Sequence, residues 1–343
     1  MNVPLLILLN LIKIGVVMGV LLTCVAYTVL LERKVLGFIQ LRYGPNRVGP
    51  WGLLQPLADL LKLLFKEDFT PPGANKILFI MAPILAAATA FLPFACIPFA
   101  NTILPPEITL FGQKIDLTAA ALNQGVIADL NVGLLYIFAV GSLAVYGAVL
   151  GGWASNNKYS LLGALRLCAQ MVSYELALGL SVIGVLMMAG SLSMVKIVEA
   201  QKCVPFIVYQ PLGFLLFLTA AFAECARTPF DLIECENELV AGFQTEYSSM
   251  KWALFMMGEY THIIVASALT VTLFLGGWHG PLLPPVVWFM LKTFAVVFFF
   301  IWVRGTFPRF RFDQLMRLGW KVLVPLSLAN ILFTGALILY LKG

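Results

Sequence analysis

Apolar residues run through this chain in blocks too long for strands or soluble helices. Eight blocks, at 3–31, 77–100, 130–152, 167–189, 206–225, 252–275, 286–303 and 322–341, have the length a membrane-crossing helix needs, roughly 20 residues for about 30 Å of hydrocarbon. They predict an all-α polytopic transmembrane bundle of about eight spans, one integral membrane domain over 1–343. The first block exceeds an upright span, so it predicts strong tilt or an end projecting from the bilayer. Its apolar run is too long, and its start too poor in basic residues, for a cleaved signal peptide.

One shorter stretch has a different pattern. From Leu54 to Lys66, the polar residues Gln55, Asp59, Lys62 and Lys66 fall on one narrow helical stripe, with Leu, Ala and Phe around it. Too short to span, it predicts an interfacial amphipathic helix within the first inner loop. Its stripe faces either water or an internal cavity able to admit an amphiphile with a polar head and a lipid tail. Gly44-Pro45 and Gly49-Pro50 mark turns ahead of it, and Arg33, Arg42 and Arg47 would supply donors for an oxygen-bearing head group.

Charge then sets the orientation. Sixteen of the 22 Lys and Arg residues lie in one set of loops, against Lys114, Lys196, Lys202 and Lys342 on the other side. The positive-inside rule makes the first set inner and puts both termini outside. Lys13 and Lys292 fall within spans. The large inner loops are 32–76, 226–251 and 304–321. A composition of 61% hydrophobic and 11% charged residues excludes a soluble enzyme, a disordered chain and a disulfide-stapled module. The six Cys form no CxxC, and two His, His262 and His279, are too few for a multi-haem bundle. Glu259 and His262 make a single ExxH, where a di-iron bundle needs two. No metal or redox cofactor is therefore expected on this chain, and no basic tract points to nucleic acid.

Acidic residues carry the remaining chemistry. Seven of the 17 lie between 224 and 259: Glu224, Asp231, Glu234, Glu236, Glu238, Glu246 and Glu259. If 232–240 is helical, Glu234 and Glu238 share a face. Close, partly buried carboxylates hold protons more readily, as a proton relay requires; a solvated loop docking a basic partner is the other reading. Glu175 and Glu259 favour the relay, because both fall inside apolar blocks. Counted from their block starts they lie roughly 12 Å and 10 Å along the helix, and intramembrane carboxylates point to an ion or proton path.

ERKVLGFIQLRYGPNRVGPWGLLQPLADLLKLLFKED, AECARTPFDLIECENELVAGFQTEYS and RGTFPRFRFDQLM resemble signature segments of one family. It is the H subunit (subunit 1 in mitochondria) of proton-translocating NADH:quinone oxidoreductase, respiratory complex I. The resemblance extends over the whole chain in span number, loop sizes and motif order. It implies a membrane subunit of a translocase, without catalysis of its own, at the joint between membrane and peripheral arms. Inner loops 32–76, 226–251 and 304–321 would wall a quinone chamber and the arm junction. Quinone would be the substrate, while FMN and iron–sulfur clusters belong to partner subunits. The implied partners are the peripheral-arm quinone-site and iron–sulfur subunits, adjacent small membrane subunits, and lipid.

By the same resemblance, Arg33, Arg42, Asp59 and Lys62 match positions at or near the chamber, and Arg304 another basic position near the quinone route. Glu175, Glu224, Asp231, Glu234, Glu236, Glu238, Glu246 and Glu259 match the acidic funnel from chamber to membrane arm. Cys235 stands where the family often has Gly, and its side chain is expected to affect the turn between Glu234 and Glu236. The outer segment 101–124 is longer than in typical animal mitochondrial versions, favouring a bacterial inner membrane over a mitochondrial one. Alternatives are the equivalent subunit of an energy-converting hydrogenase, a stand-alone cation transporter and a structural anchor. The long GPNRVGPWGLLQPLAD loop argues against the hydrogenase.

Overall fold

A computed structural model describes residues 3–103, 107–110, 113–116, 124–232 and 239–342. Helix dominates because each apolar block satisfies its backbone polar groups internally, the requirement for any segment in lipid. Seven described helical stretches are long and apolar enough to cross a membrane. They are α1 (Val3–Ile39), α3 (Lys76–Phe91, extended by a short 3₁₀ turn to Ala95), α4 (Gly133–Ala154), α5 (Lys158–Ala189), α9 (Ser249–Phe274), α10 (Pro285–Thr306) and the stretch from α11 (Phe312–Arg317) to α12 (Val324–Lys342). A π-helical turn, Leu318–Leu323, joins α11 to α12.

The block at 206–225 differs from one continuous span. It consists of the single turn α7 (Phe206–Tyr209) and the 14-residue α8 (Pro211–Glu224). Pro211 has no amide hydrogen and restricts the residue before it, so the chain opens at Gln210. The Gln210 side chain is buried and ties the break to α12: its Nε2 donates to Thr334 Oγ1 at 2.5 Å and its Oε1 accepts from Asn330 Nδ2 at 2.9 Å. Small α6 (Met194–Ala200) precedes it. Among the described residues of 100–125, two antiparallel β pairs form: β1 (Ala100–Thr102) with β4 (Gln124–Gly125), and β2 (Glu107–Leu110) with β3 (Gln113–Asp116).

Two packed cores share the bundle. The larger joins α1, α5, α8, α9 and α10 around Tyr174, Phe217 and Phe274. The smaller joins α3, α4, α5 and the start of α9 around Phe79, Ala164 and Phe255. Helices α3 and α4 approach closely because Gly147 has no side chain; a Cβ there would sit 2.8–2.9 Å from Ala86. The two intramembrane lysines serve the backbone. Lys292 Nζ donates to the carbonyls of Leu275, Gly277 and His279 at 2.7, 3.1 and 2.7 Å, closing the carboxyl end of α9. Lys13 Nζ donates to the Val126 carbonyl at 2.6 Å.

The amphipathic segment forms α2 (Gln55–Phe65), too short to span. It packs against α1 and α9, yet Leu57, Leu60, Leu61, Leu64 and Phe65 stay exposed on the chain.

The α3–α4 contact has a direct test. Gly147→Val should lower the thermal midpoint of the detergent-solubilised protein, overpacking costing about 1–3 kcal/mol. Gly179→Ala, where a Cβ meets nothing within 4 Å, should leave the midpoint unchanged or raise it, helix propensity favouring Ala by about 1 kcal/mol.

Candidate functional site

Helix α1 continues eight residues past the end of its apolar block at 31, to Ile39. That extension carries Glu32, Arg33 and Lys34 on one rigid rod. Arg33 Nη1 donates to Asp59 Oδ2 at 2.6 Å, and Gln55 Nε2 donates to Asp59 Oδ1 at 2.9 Å. Asp59 is thus held between α1 and its own helix, in a half-open pair that water screens. Lys34 donates to the Trp51 carbonyl. Arg42 Nε donates to Gln40 Oε1 at 2.7 Å, while Arg47 and Lys62 are exposed. The structure therefore joins Arg33 to Asp59, and leaves Arg42, Arg47 and Lys62 outside that pair.

Arg304 belongs to a different group. From α10 it pairs with Glu32, which is 5% exposed. Arg227 Nη1 lies 3.7 Å from the same Glu32 oxygen, and its Nη2 lies 3.9 Å from Glu259 Oε2. The Arg227 guanidinium also stacks over Tyr260, 4.4 Å from the ring centre. Gln244 Nε2 then donates to Glu259 Oε1 at 2.6 Å. Charges alternate along this line, Arg304, Glu32, Arg227, Glu259. Alternation keeps buried ions tolerable in a medium that penalises each one alone. Neither Glu32 nor Arg227 stands out as a site residue in the sequence. The signals there are slight: Glu32 closes an apolar block, and Arg227 follows Glu224 at the head of the acidic run.

Local geometry explains how Arg227 reaches inward. Helix α8 ends at Glu224, and Ala226 takes a left-handed φ of 48°. The Arg227 amide then bonds back to the Phe222 carbonyl at 3.3 Å. Gln170, fully buried on α5, donates to the carbonyls of Ala223 and Phe230 at 2.8 and 3.1 Å and pins both ends of the turn. Gln244 is placed by a second turn, Gly242–Gln244. Gly163 of α5 lets this turn approach; a Cβ there would meet Gly242 Cα at 2.7 Å. Tyr247 anchors the turn's far side, stacking on Phe79 at 4.1 Å between ring centres, and burial pushes its phenol above the ordinary value.

Past Glu259 the bundle is hollow. A cavity of about 70 Å³ is bounded by Glu259, His262, Glu224, Phe243, Phe255 and Met171, among others. A second, of about 30 Å³, shares Glu224, Cys225 and His262 with it and continues along Gly141, Leu178 and Phe217. Each exceeds the roughly 10–15 Å³ a water needs. Glu175 lies within electrostatic range of Glu224, while Ser142 donates to the Ala139 carbonyl at 2.9 Å. Because α5 begins at Lys158, Glu175 stands about 26 Å along its helix, much further than the roughly 12 Å counted from the apolar block.

Other acids go elsewhere. Asp231, 3% exposed, accepts from Arg309 Nη2 at 2.9 Å, and Phe230 stacks on Phe310, so loop 304–321 packs on the turn after α8. Glu246 accepts from Asn157 Nδ2 at 2.6 Å and lines a separate open cleft of about 560 Å³ with Phe69, Pro71, Pro72 and Lys158. Glu234, Glu236 and Glu238, with Cys235, lie outside the described residues. Among the described residues no group of three or more His, Cys, Asp or Glu gathers at metal-ligand spacing.

The sequence profile of a family described as NADH dehydrogenase matches residues 12–335. The chain is 59% identical over 326 residues to an H subunit of the NADH-quinone oxidoreductase of Geobacter metallireducens, covering 95% of each. It is 58% identical over 328 residues to an H subunit of the same oxidoreductase from Geobacter sulfurreducens. With the corresponding protein of Syntrophobacter fumaroxidans it shares 56% identity over 329 residues, and in both cases 96% of each chain is covered.

Removing the central cation of the charge line should be severe. Arg227→Met leaves Glu32 and Glu259 without it, at a cost of about 3–5 kcal/mol. The expected result is a lower thermal midpoint and less protein in the membrane. Lys62→Met, at an exposed position, should change neither.

Proposed function

The chain belongs to the family of NADH-quinone oxidoreductase H subunits, and from that premise we propose that it couples quinone reduction to proton translocation through partly buried carboxylates inside its bundle. It is a membrane subunit of a multi-subunit translocase and performs no catalysis alone. Its bacterial relatives and multi-span bundle place it in a bacterial inner membrane; the charge bias of its loops supports both termini facing outside. Loops 32–76, 226–251 and 304–321 are assigned to the quinone chamber and arm junction. Their partners are the peripheral-arm subunits that hold FMN and iron–sulfur clusters, and the adjacent small membrane subunits.

One observation carries this reading: alternating charges lead from Arg304 through Glu32 and Arg227 to Glu259, where the cavity reaching Glu224 begins. Arg33 and Asp59 are assigned to the quinone head group, with Arg42, Arg47 and Lys62 at the chamber entrance and Arg304 at its inner end. The Arg33–Asp59 pair is half-exposed, 48% and 32% for the two side chains, so its polar atoms are open to a ligand. As quinone is reduced it gains negative charge and takes up protons. Negative charge beside the line weakens the hold of Arg304 and Arg227 on Glu32 and Glu259, and carboxylates respond by changing proton occupancy. Glu259, Glu224 and Glu175 then pass the change onward. Asp231 and Glu246, with Glu234, Glu236 and Glu238, are assigned to the funnel's inner mouth.

Two variants separate chamber from path. Glu224→Gln or Glu175→Gln should suppress proton pumping and coupled turnover about 10-fold or more while the complex still assembles. A full proton-to-electron ratio in assembled variants would remove these acids from the path. Asp59→Ala should instead lower kcat/KM for quinone, because Arg33 and Gln55 lose their shared acceptor; unchanged quinone kinetics would take Asp59 out of the chamber.

A further inference from the structure

We propose that the imidazole of His262 carries protons between Glu259 and Glu224; the inference rests on the coupling role proposed above for those acids. Glu259 and His262 are three residues apart on α9, so both project from one face. That face meets the hollow part of the bundle. His262 and Glu224 are shared walls of both cavities, whereas Glu259 borders only the larger one. The smaller core supplies Leu167, Met171 and Phe255 to the first cavity, and the larger core supplies Leu178, Phe217 and Leu269 to the second. His262 therefore stands at the seam between the two cores, beside the point where α8 ends at Glu224.

Among the described residues, few proton-exchanging groups border this seam. Helices α3 and α4 face it with Ala86, Gly141, Ala144 and Ala148, none of them titratable. Gly141 is open toward Glu224, and even a Cβ there would lie 3.8 Å from the carboxylate oxygen. From α5 comes Glu175, from the end of α8 come Glu224 and Cys225, and Arg227 follows on the next turn. An imidazole at the seam thus lines one cavity together with Glu259 and Glu224 and a second together with Glu224. One ring nitrogen accepts a proton from the Glu259 carboxyl, directly or through cavity water, while the other releases its proton toward the Glu224 carboxylate. One proton has moved, no covalent framework has changed, and the ring is left in its opposite tautomer. Ring rotation or a second exchange with water restores it. Neutral imidazole is suited to this because its two nitrogens hold one donor and one acceptor.

The test uses the assembled complex in inverted membrane vesicles, reading NADH-driven quinone reduction, proton uptake and subunit content together. His262→Asn and His262→Gln keep a polar side chain of similar size but exchange no proton. Each should lower coupled turnover about 10-fold or more, with KM for quinone and complex content unchanged. His262→Asp, which restores an exchangeable proton, should recover a substantial part of the loss. Wild-type turnover in either amide variant that assembles overturns the proposal. So does a loss that Asp fails to relieve, since that identifies a packing role. Glu224→Gln in the same assay isolates the underlying reading: if it pumps normally, that reading falls, and if it fails while the amide variants pump, only His262 is removed.

Discussion

Arg227 is 7% exposed, and its guanidinium faces carboxylates from two helices that are far apart in sequence. A buried cation of this kind is stable only while its partners stay in place. The registry of α1 against α9 is therefore tied to a short turn after α8, and that turn to Gln170 on α5. Arg304 extends the same dependence to α10. No member can move or change charge without altering the environment of the next. Such an arrangement suits a device in which charge arriving at one end must be felt at the other.

The opposite end of α9 handles polarity differently. There the backbone groups released by helix ends and breaks are satisfied by neutral amides and one lysine. Gln201 donates to the Thr272 carbonyl and accepts from the Phe206 and Gly276 amides, Lys292 closes α9, and Gln210 ties the α7–α8 break to Thr334 and Asn330 of α12. These are fixed hydrogen bonds of the sort every helix end in lipid requires. The carboxylates and cavities instead concentrate near α8's end and the middle of α9, where the two cores meet. The bundle thus separates a clamped region from a region where ionisable groups and cavities gather.

Surface character follows the same division of labour. Helix α2 buries none of its residues within the chain, yet exposes a row of leucines and Phe65. Its polar stripe is engaged at Gln55 and Asp59. Such a helix has an unfinished environment in the isolated chain, as expected of a component built into a larger membrane assembly.

Apolar block length decided the membrane bundle, and the stripe from Gln55 to Lys66 decided α2, because both patterns repeat within a turn or two of one helix. Long contiguous motifs carried the family. The α7–α8 break was locally signalled by Pro211, although a hydropathy count passes over a single residue. Glu32 and Arg227 carry little local signal because their meaning lies in their partners, and Glu32 meets Arg304 across 272 residues of sequence. Glu246 read as one of a run of acids, but its contact is Asn157 in a separate cleft. Sequence by itself determined which segments are strongly apolar and which residues can hold a proton, since solvent transfer and side-chain chemistry are local properties. Only the tertiary structure decided which charges neutralise one another and where the cavities run, because those depend on how distant helices pack.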